Sequence, residues 1–180
     1  MLVRLIILDK MNNRLKLEWV PAAYASDETI PDKNPSKKKI NLELTSEEKL
    51  LLKQKGITQK ALMDYAIDEI IHALNSSSQR AKILQALFEF QQVPSIGIRF
   101  ANDLIFLGYY SLAQLKDMQG SKLLDQYEKK LGSRVDPCVE DQFRLVVYYA
   151  NHPGSKKQWW DFTSERKAYR AKNGYPANRP

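Results

Sequence analysis

The N-terminal segment shows a hydrophobic pattern different from that of the rest of the chain. Leu15, Leu17 and Trp19 alternate with charged residues, and a period of two predicts a β-strand. An apolar run precedes it, and Asn12-Asn13 between the two tolerates a tight turn. The pattern therefore predicts a β-hairpin over residues 1–20. Residues 21–39, with three prolines and three consecutive lysines, are typical of a linker.

Helical periodicity replaces this pattern from about residue 41. Thr45 and Glu48 form a capping box, which predicts a helix ending near Gly56. A second helical stretch runs from Thr58 to about residue 75, and a break in it would fall near Tyr65. Further apolar stripes predict helices over residues 79–91, 98–107, 123–131 and 137–151. The expected fold class is mainly all-α, and glycine and prolines predict a frayed end over residues 173–180.

Composition narrows the chemistry. The 180 residues carry 28 basic and 21 acidic side chains, a net charge of +7, and the last 29 residues hold +5 of it. A basic segment of this kind attracts nucleic acid or another polyanion, although a solvated tail without a partner has the same composition. Cys138 is the single cysteine and there are two histidines, so we expect no disulfide, metal or cofactor. No apolar run reaches the roughly 18 residues of a membrane span, so we expect a cytoplasmic protein without a membrane partner.

The most informative segment is residues 93–104. In this segment, apolar residues are interspersed with Pro94, Gly97 and Ala101 in an order that resembles the helix-hairpin-helix motif. Ser95 stands where the motif usually has its first glycine. The resemblance implies positive φ at Gly97 and a helix-hairpin-helix (SAM-like) domain over residues 41–172. A hairpin at a helix N-terminus directs amides and the positive end of the helix dipole outward, where a phosphate can bind.

Three sets of residues follow as candidates for binding DNA, single- or double-stranded, through its backbone. The predicted phosphate site contains Ser95, Gly97, Ile98 and Arg99. The predicted basic tail contains Lys156, Lys157, Arg166, Lys167, Arg170 and Lys172. Aromatic residues that could stack on bases are Trp159, Trp160 and Tyr169. The alternative, which we favour for the rings, is that they cover the helical core while the cations face solvent.

The resemblance becomes more specific when further segments are included. Leu107-Gly108-Tyr109-Tyr110-Ser111-Leu112, the stretch from Val135 to Asp141, and Trp159-Trp160-Asp161-Phe162 together resemble the small bacterial "pathogenicity locus" family of helix-hairpin-helix proteins. The likeness covers residues 41–180 and leaves residues 1–39 outside it. It implies a helical DNA-binding protein without a known catalytic role. Residues 132–136 between two predicted helices are a candidate for a degenerate second hairpin.

Other functions stay open. The same hairpins would also suit a protein-interaction module, with the N-terminal strands adding to a partner's sheet edge. A helix-turn-helix over residues 53–62 lacks a recognition helix rich in Arg, Asn or Gln. Asp117 lies about where a base-excision glycosylase of this motif has its catalytic Asp, but the chain lacks a second lobe to enclose a flipped base. We therefore expect no catalytic residues.

Overall fold

A computed structural model describes residues 2–9, 14–21 and 39–180. The chain divides into two compact units, residues 1–39 and residues 40–180. In the first unit, strands β1 (Leu2–Asp9) and β2 (Arg14–Pro21) pair antiparallel, with Leu2 opposite Pro21 and Asp9 opposite Arg14. The predicted turn at Asn12-Asn13 and most of the predicted linker, residues 22–38, lie outside the described residues.

The second unit is helical, which confirms the mainly α-helical prediction for residues 40–180. Its helices are α1 (Ser46–Gln54), α2 (Gln59–Leu62), α3 (Ile67–Leu74), α4 (Ser78–Gln91), α5 (Ile98–Leu107), α6 (Gly120–Leu131), α7 (Cys138–Asn151) and α8 (Thr163–Asn173). Two short 3-10 helices, Leu112–Leu115 and Trp159–Phe162, precede α6 and α8. Among the helices of the described ranges, none is long and apolar enough to cross a membrane.

Local sequence signals account for the first helices. The Thr45 hydroxyl accepts a hydrogen bond from the Glu48 N–H, and the Glu48 carboxylate accepts one from the Thr45 N–H, as the capping box predicts. The Thr58 hydroxyl caps α2 by accepting a hydrogen bond from the Ala61 N–H. The predicted stretch from Thr58 is divided near Tyr65 into α2 and α3. Arg80 then joins α4 to α1 through an ion pair with Glu48.

One apolar core lies between the helices of this unit. Phe90 on α4 and Phe143 on α7 are its largest fully buried side chains. The Phe143 ring meets those of Phe100 on α5 and Tyr127 on α6, with centroids 4.8 and 5.8 Å away. The apolar face predicted for residues 137–151 therefore packs inward, and helices α5, α6 and α7 share this centre.

Buried charged residues lie at the start of α7. Glu140 and Asp141, in its first turn, have no exposed surface. Arg166 on α8 donates to Asp141 at 2.8 Å, and Arg170 donates to Glu140 at 2.7 Å. Arg144, one turn further along α7, also donates to Glu140, at 2.7 Å. We call these five residues the α7–α8 ion-pair cluster; it holds the last helix against the core.

The cluster corrects one expectation about the basic tail. Arg166 and Arg170 were predicted to face solvent, but their side chains are only 10% and 8% exposed. Arg170 also donates to Asp125 and to the backbone oxygen of Ser121. Its hydrogen bond with Asp141 raises the pKa of Arg166, so this cation stays charged where it is buried. Both arginines are structural because they neutralise buried carboxylates.

Residues 175–180, in the segment where a frayed end was predicted, make specific contacts with the helical unit. Arg179 donates to both carboxylate oxygens of Glu128, which is fully buried on α6. Burial opposes ionisation of Glu128, but hydrogen bonds from Arg179 and the Val135 N–H outweigh burial and lower the pKa of this carboxyl. The Arg170 and Arg179 guanidiniums lie over the Tyr175 ring, 4.2 and 3.8 Å from its centroid.

A close contact at Gly120 joins α6 to α7. A Cβ at this position would lie 2.6 Å from the backbone N of Arg144, closer than real Cβ atoms approach. Backbone cannot move aside as a flexible side chain can, so only glycine fits at the start of α6. This crossing sets the position of Arg144, and through it one edge of the α7–α8 ion-pair cluster.

Two variants on α8 test the structural role of its arginines. Arg170→Gln should lower the free energy of unfolding by about 3–5 kcal/mol, because Glu140 and Asp125 lose a buried partner. Lys172→Gln, at an exposed position on the same helix, should change it by less than about 0.5 kcal/mol. Chemical denaturation followed by circular dichroism measures both. Similar values for the two variants would contradict the cluster.

Candidate functional site

The turn between α4 and α5, residues 92–97, contains Ser95 and Gly97 of the predicted phosphate site, and its other two residues, Ile98 and Arg99, begin α5. Val93 and Ile96 are fully buried and anchor the turn to the core. Ser95 between them adopts a left-handed conformation, with φ of 55°. Ser95 therefore takes the conformation for which the motif usually has glycine. Non-glycine residues adopt it at a cost of about 1–2 kcal/mol.

Gly97 differs from the expectation that its φ is positive. It has φ of −95° and ψ of −178°, an extended conformation that any residue adopts, and it is the N-cap of α5. A Cβ added there would have no heavy atom within 4 Å. Neither the backbone nor the packing inside the chain therefore requires a glycine at this exposed position. The absence of a side chain leaves the start of α5 without a cap from residue 97.

The start of α7, in the candidate second hairpin, has the opposite character. The Asp136 carboxylate accepts a hydrogen bond from the Cys138 N–H at 2.7 Å, so a side chain of the protein already occupies the anion position. Glu140 and Asp141 follow within the first turn. Burial and the hydrogen bond with Asp136 raise the pKa of the Cys138 thiol, which keeps it protonated. A phosphate would meet negative charge here, whereas at α5 it meets a glycine.

The basic and aromatic C-terminal segment lies next to the α4–α5 turn. The backbone N–H of Trp159 donates a hydrogen bond to the Ser95 hydroxyl at 3.2 Å, although 64 residues separate the two in the sequence. Lys156 and Lys157, just before Trp159, are both exposed. The Lys157 ammonium lies over the Tyr148 ring, 4.3 Å from its centroid. Two of the predicted sets, the turn and the start of the tail, are thus brought together.

The remaining residues of the predicted sets divide between surface and interior. Arg99, Lys167 and Lys172 are exposed, and Ile98 is half-buried. The basic segment that faces solvent consequently comprises four of the six predicted cations: Lys156, Lys157, Lys167 and Lys172. Lys156 and Lys157 come just before Trp159, which is bound to the α4–α5 turn, and Lys167 and Lys172 lie on α8.

The aromatic residues differ from one another. Phe162 is buried and Trp159 is half-buried, as expected of rings that cover the core. Tyr169 is half-buried with the Arg144 and Arg170 guanidiniums over its ring, 5.1 and 5.6 Å from the centroid. It belongs with the α7–α8 ion-pair cluster. Trp160, by contrast, has 54% of its surface exposed.

Two further places in the helical unit contain polar groups that chemistry could use. Asp117 is exposed in a turn after the first 3-10 helix, with φ of 61°. A groove of about 460 Å³ lies between the start of α6, α7 and α8. Its Arg144 is bound to Glu140 and Glu165, so this guanidinium is committed within the protein.

The residues that position the site were not predicted from the sequence. Glu140 and Asp141 were included only as part of the family segment, and Glu128 and Arg179 were not identified at all. One signal was available: Arg166 and Arg170 are four residues apart, so they lie on one face of a helix. Glu140 and Asp141, two acidic residues at the start of a helix with a strong apolar face, are the expected partners of these arginines.

Comparisons with known proteins agree with the resemblance found in the sequence. The model of the pathogenicity locus family matches residues 83–168, which confirms that resemblance over this segment, from α4 into α8. A mitomycin resistance protein from Streptomyces lavendulae is 32% identical over 69 residues, which are 38% of this chain and 65% of that protein. Neither description names a catalytic activity. No solved structure matches the chain significantly.

Two substitutions at position 95 test the geometry of the turn. Ser95→Ala should lower the free energy of unfolding by about 1 kcal/mol, because the half-buried Trp159 N–H loses its acceptor. Ser95→Gly loses the same acceptor but adopts φ of 55° without strain, which offsets about 1 kcal/mol. Urea denaturation should therefore rank glycine above alanine. Equal losses would contradict the left-handed conformation, and an unaffected alanine variant would contradict the bond to Trp159.

Proposed function

We propose that the protein binds DNA through the phosphate backbone, without sequence preference, at the junction of the α4–α5 turn and residues 156–160. In this proposal α4, the turn and α5 form a helix-hairpin-helix element. The observation that carries it is the hydrogen bond from the Trp159 N–H to the Ser95 hydroxyl, because it joins a basic segment to a helix N-terminus.

Gly97 supplies the second argument. Serine, threonine, asparagine and aspartate stabilise helix N-termini, yet the chain has glycine here in a conformation open to all of them. Since the space around a Cβ is also empty, the fold gains nothing from glycine at this position. A ligand that approaches the backbone closely would explain the glycine, because a side chain at this position would block the ligand. A phosphate oxygen at the Ile98 and Phe100 amides is such a ligand, and the helix dipole favours it.

The charge distribution agrees with this assignment. The four exposed lysines of the basic segment provide positive charge beside the turn and along α8, and Arg99 adds to it at the start of α5. Contacts of this type bind phosphates and do not read base sequence. The proposal is of a binding protein, since neither comparison names an enzyme. The protein-interaction alternative lacks a comparable observation among residues 39–180.

The sharpest test replaces the missing cap. Gly97→Asp should leave the free energy of unfolding unchanged or raise it by up to about 1 kcal/mol, because aspartate is a good N-cap in this conformation. The same carboxylate occupies the phosphate position, as Asp136 does at α7. We expect DNA affinity at low salt to fall roughly tenfold or more, because charge-assisted hydrogen bonds are worth about 1.5–3 kcal/mol.

A matched variant controls for the change in net charge. Ala66 is the exposed N-cap of α3, outside the proposed site, so Ala66→Asp adds the same charge at another helix N-terminus. Fluorescence polarisation with labelled single- and double-stranded DNA at two salt concentrations measures both variants. Equal affinities for Gly97→Asp and the parent would contradict the phosphate site. Failure of the parent to bind any DNA at low salt would contradict the function and favour a protein partner.

A further inference from the structure

Trp160 is an exposed indole on a fixed backbone. Its neighbour Trp159 is bound to Ser95, and the Trp159 and Trp160 rings meet edge to face with centroids 5.3 Å apart. The 3-10 helix that contains both is closed by the Asp161 carboxylate, which accepts from the Gln158 N–H at 2.8 Å. The Trp160 indole therefore projects from a short helix that is held by the contact of Asp161 with Gln158 and by the contacts of Trp159.

The exposure of this ring needs a reason. Tryptophan has a large apolar surface and is usually well covered in a folded protein. In the same short helix, Phe162 is buried and Trp159 half-buried, so these two already cover the helical body. Trp160 keeps 54% of its surface in solvent, four residues after the exposed cation Lys156 in the sequence. An aromatic surface next to cations is the combination that binds unstacked bases and their phosphates.

We propose that Trp160 stacks on an unpaired base, and that the ligand class is single-stranded or gapped DNA. This inference rests on the proposed DNA-binding function. A continuous duplex buries the faces of its bases in the stack and offers only their edges, so it has no surface for the indole. A single strand offers a free face for every base, while its phosphates reach the α4–α5 turn and the lysines.

Trp160→Ala tests the stacking directly. With an oligothymidine of about 16 nucleotides, roughly the upper site size of one stacking domain, affinity should fall between about fivefold and about hundredfold. Affinity for duplex DNA should stay the same. The salt dependence should also stay the same, because the number of neutralised phosphates does not change. Leu50→Ala, which removes a side chain with 55% of its surface exposed on α1, is the control and should leave both affinities unchanged.

Fluorescence gives a second measurement that does not depend on affinity. In a Trp19→Phe, Trp159→Phe variant, the remaining tryptophan is Trp160. Oligothymidine should quench its emission, and duplex DNA should not. Equal binding of both DNAs, with Trp160→Ala like the parent, would overturn this inference and leave the phosphate site intact. Absence of binding to every DNA would overturn the function on which it rests.

Discussion

The pairing of two buried carboxylates at the start of α7 with two arginines of α8 is the interaction on which the candidate site depends. Glu140 and Asp141 are fully buried, so their charges require partners inside the protein. Arg166 and Arg170 supply them, and the Thr163 hydroxyl donates to Asp141 as well. These contacts fix the beginning of α8. Directly before it lies the 3-10 helix whose Trp159 N–H reaches Ser95, so the position of the basic segment follows from the cluster.

Two helix N-termini of the matched segment, those of α5 and α7, differ in how they are capped. At α7, the Asp136 carboxylate caps the helix and the following acids bind α8. At α5, Gly97 offers no side chain, although its backbone would accept a capping residue. The stretch from Val135 to Asp141, one of the segments that carry the family resemblance, is thus explained by folding. The glycine at position 97 is not explained by folding, and this contrast supports the assignment of the site to α5.

Local features of the second unit could be predicted from the sequence, because each depends on neighbouring residues. The capping box at Thr45, the break near Tyr65 and the apolar face of α7 all follow from spacing within one or two turns. The conformation at Gly97 was misassigned because the motif implies a positive φ there, whereas the residue of this turn with positive φ is Ser95. The Gly120 contact needs α6 and α7 to be in place before it can be recognised.

Ion pairs between residues far apart in the sequence could not be predicted from local spacing. Arg166 and Arg170 look like solvent-facing cations when their helix is considered alone, and only Glu140 and Asp141, some 25 to 30 residues earlier, make them structural. The same holds for Arg179, which pairs with Glu128, 51 residues earlier in the sequence. Composition correctly indicated a basic C-terminal segment, but pairing decides which of its cations face solvent.

The central claim is that a DNA phosphate binds at the start of α5 and not at the start of α7. Backbone amide chemical shifts of the ¹⁵N-labelled full chain, followed during titration with oligothymidine at low salt, test it most directly. The account predicts that the Ile98 and Phe100 amides shift strongly and return when salt is raised, while Cys138 and Val139 stay unchanged. Shifts at Cys138 and Val139, or none at Ile98 and Phe100 when DNA is bound, would contradict it.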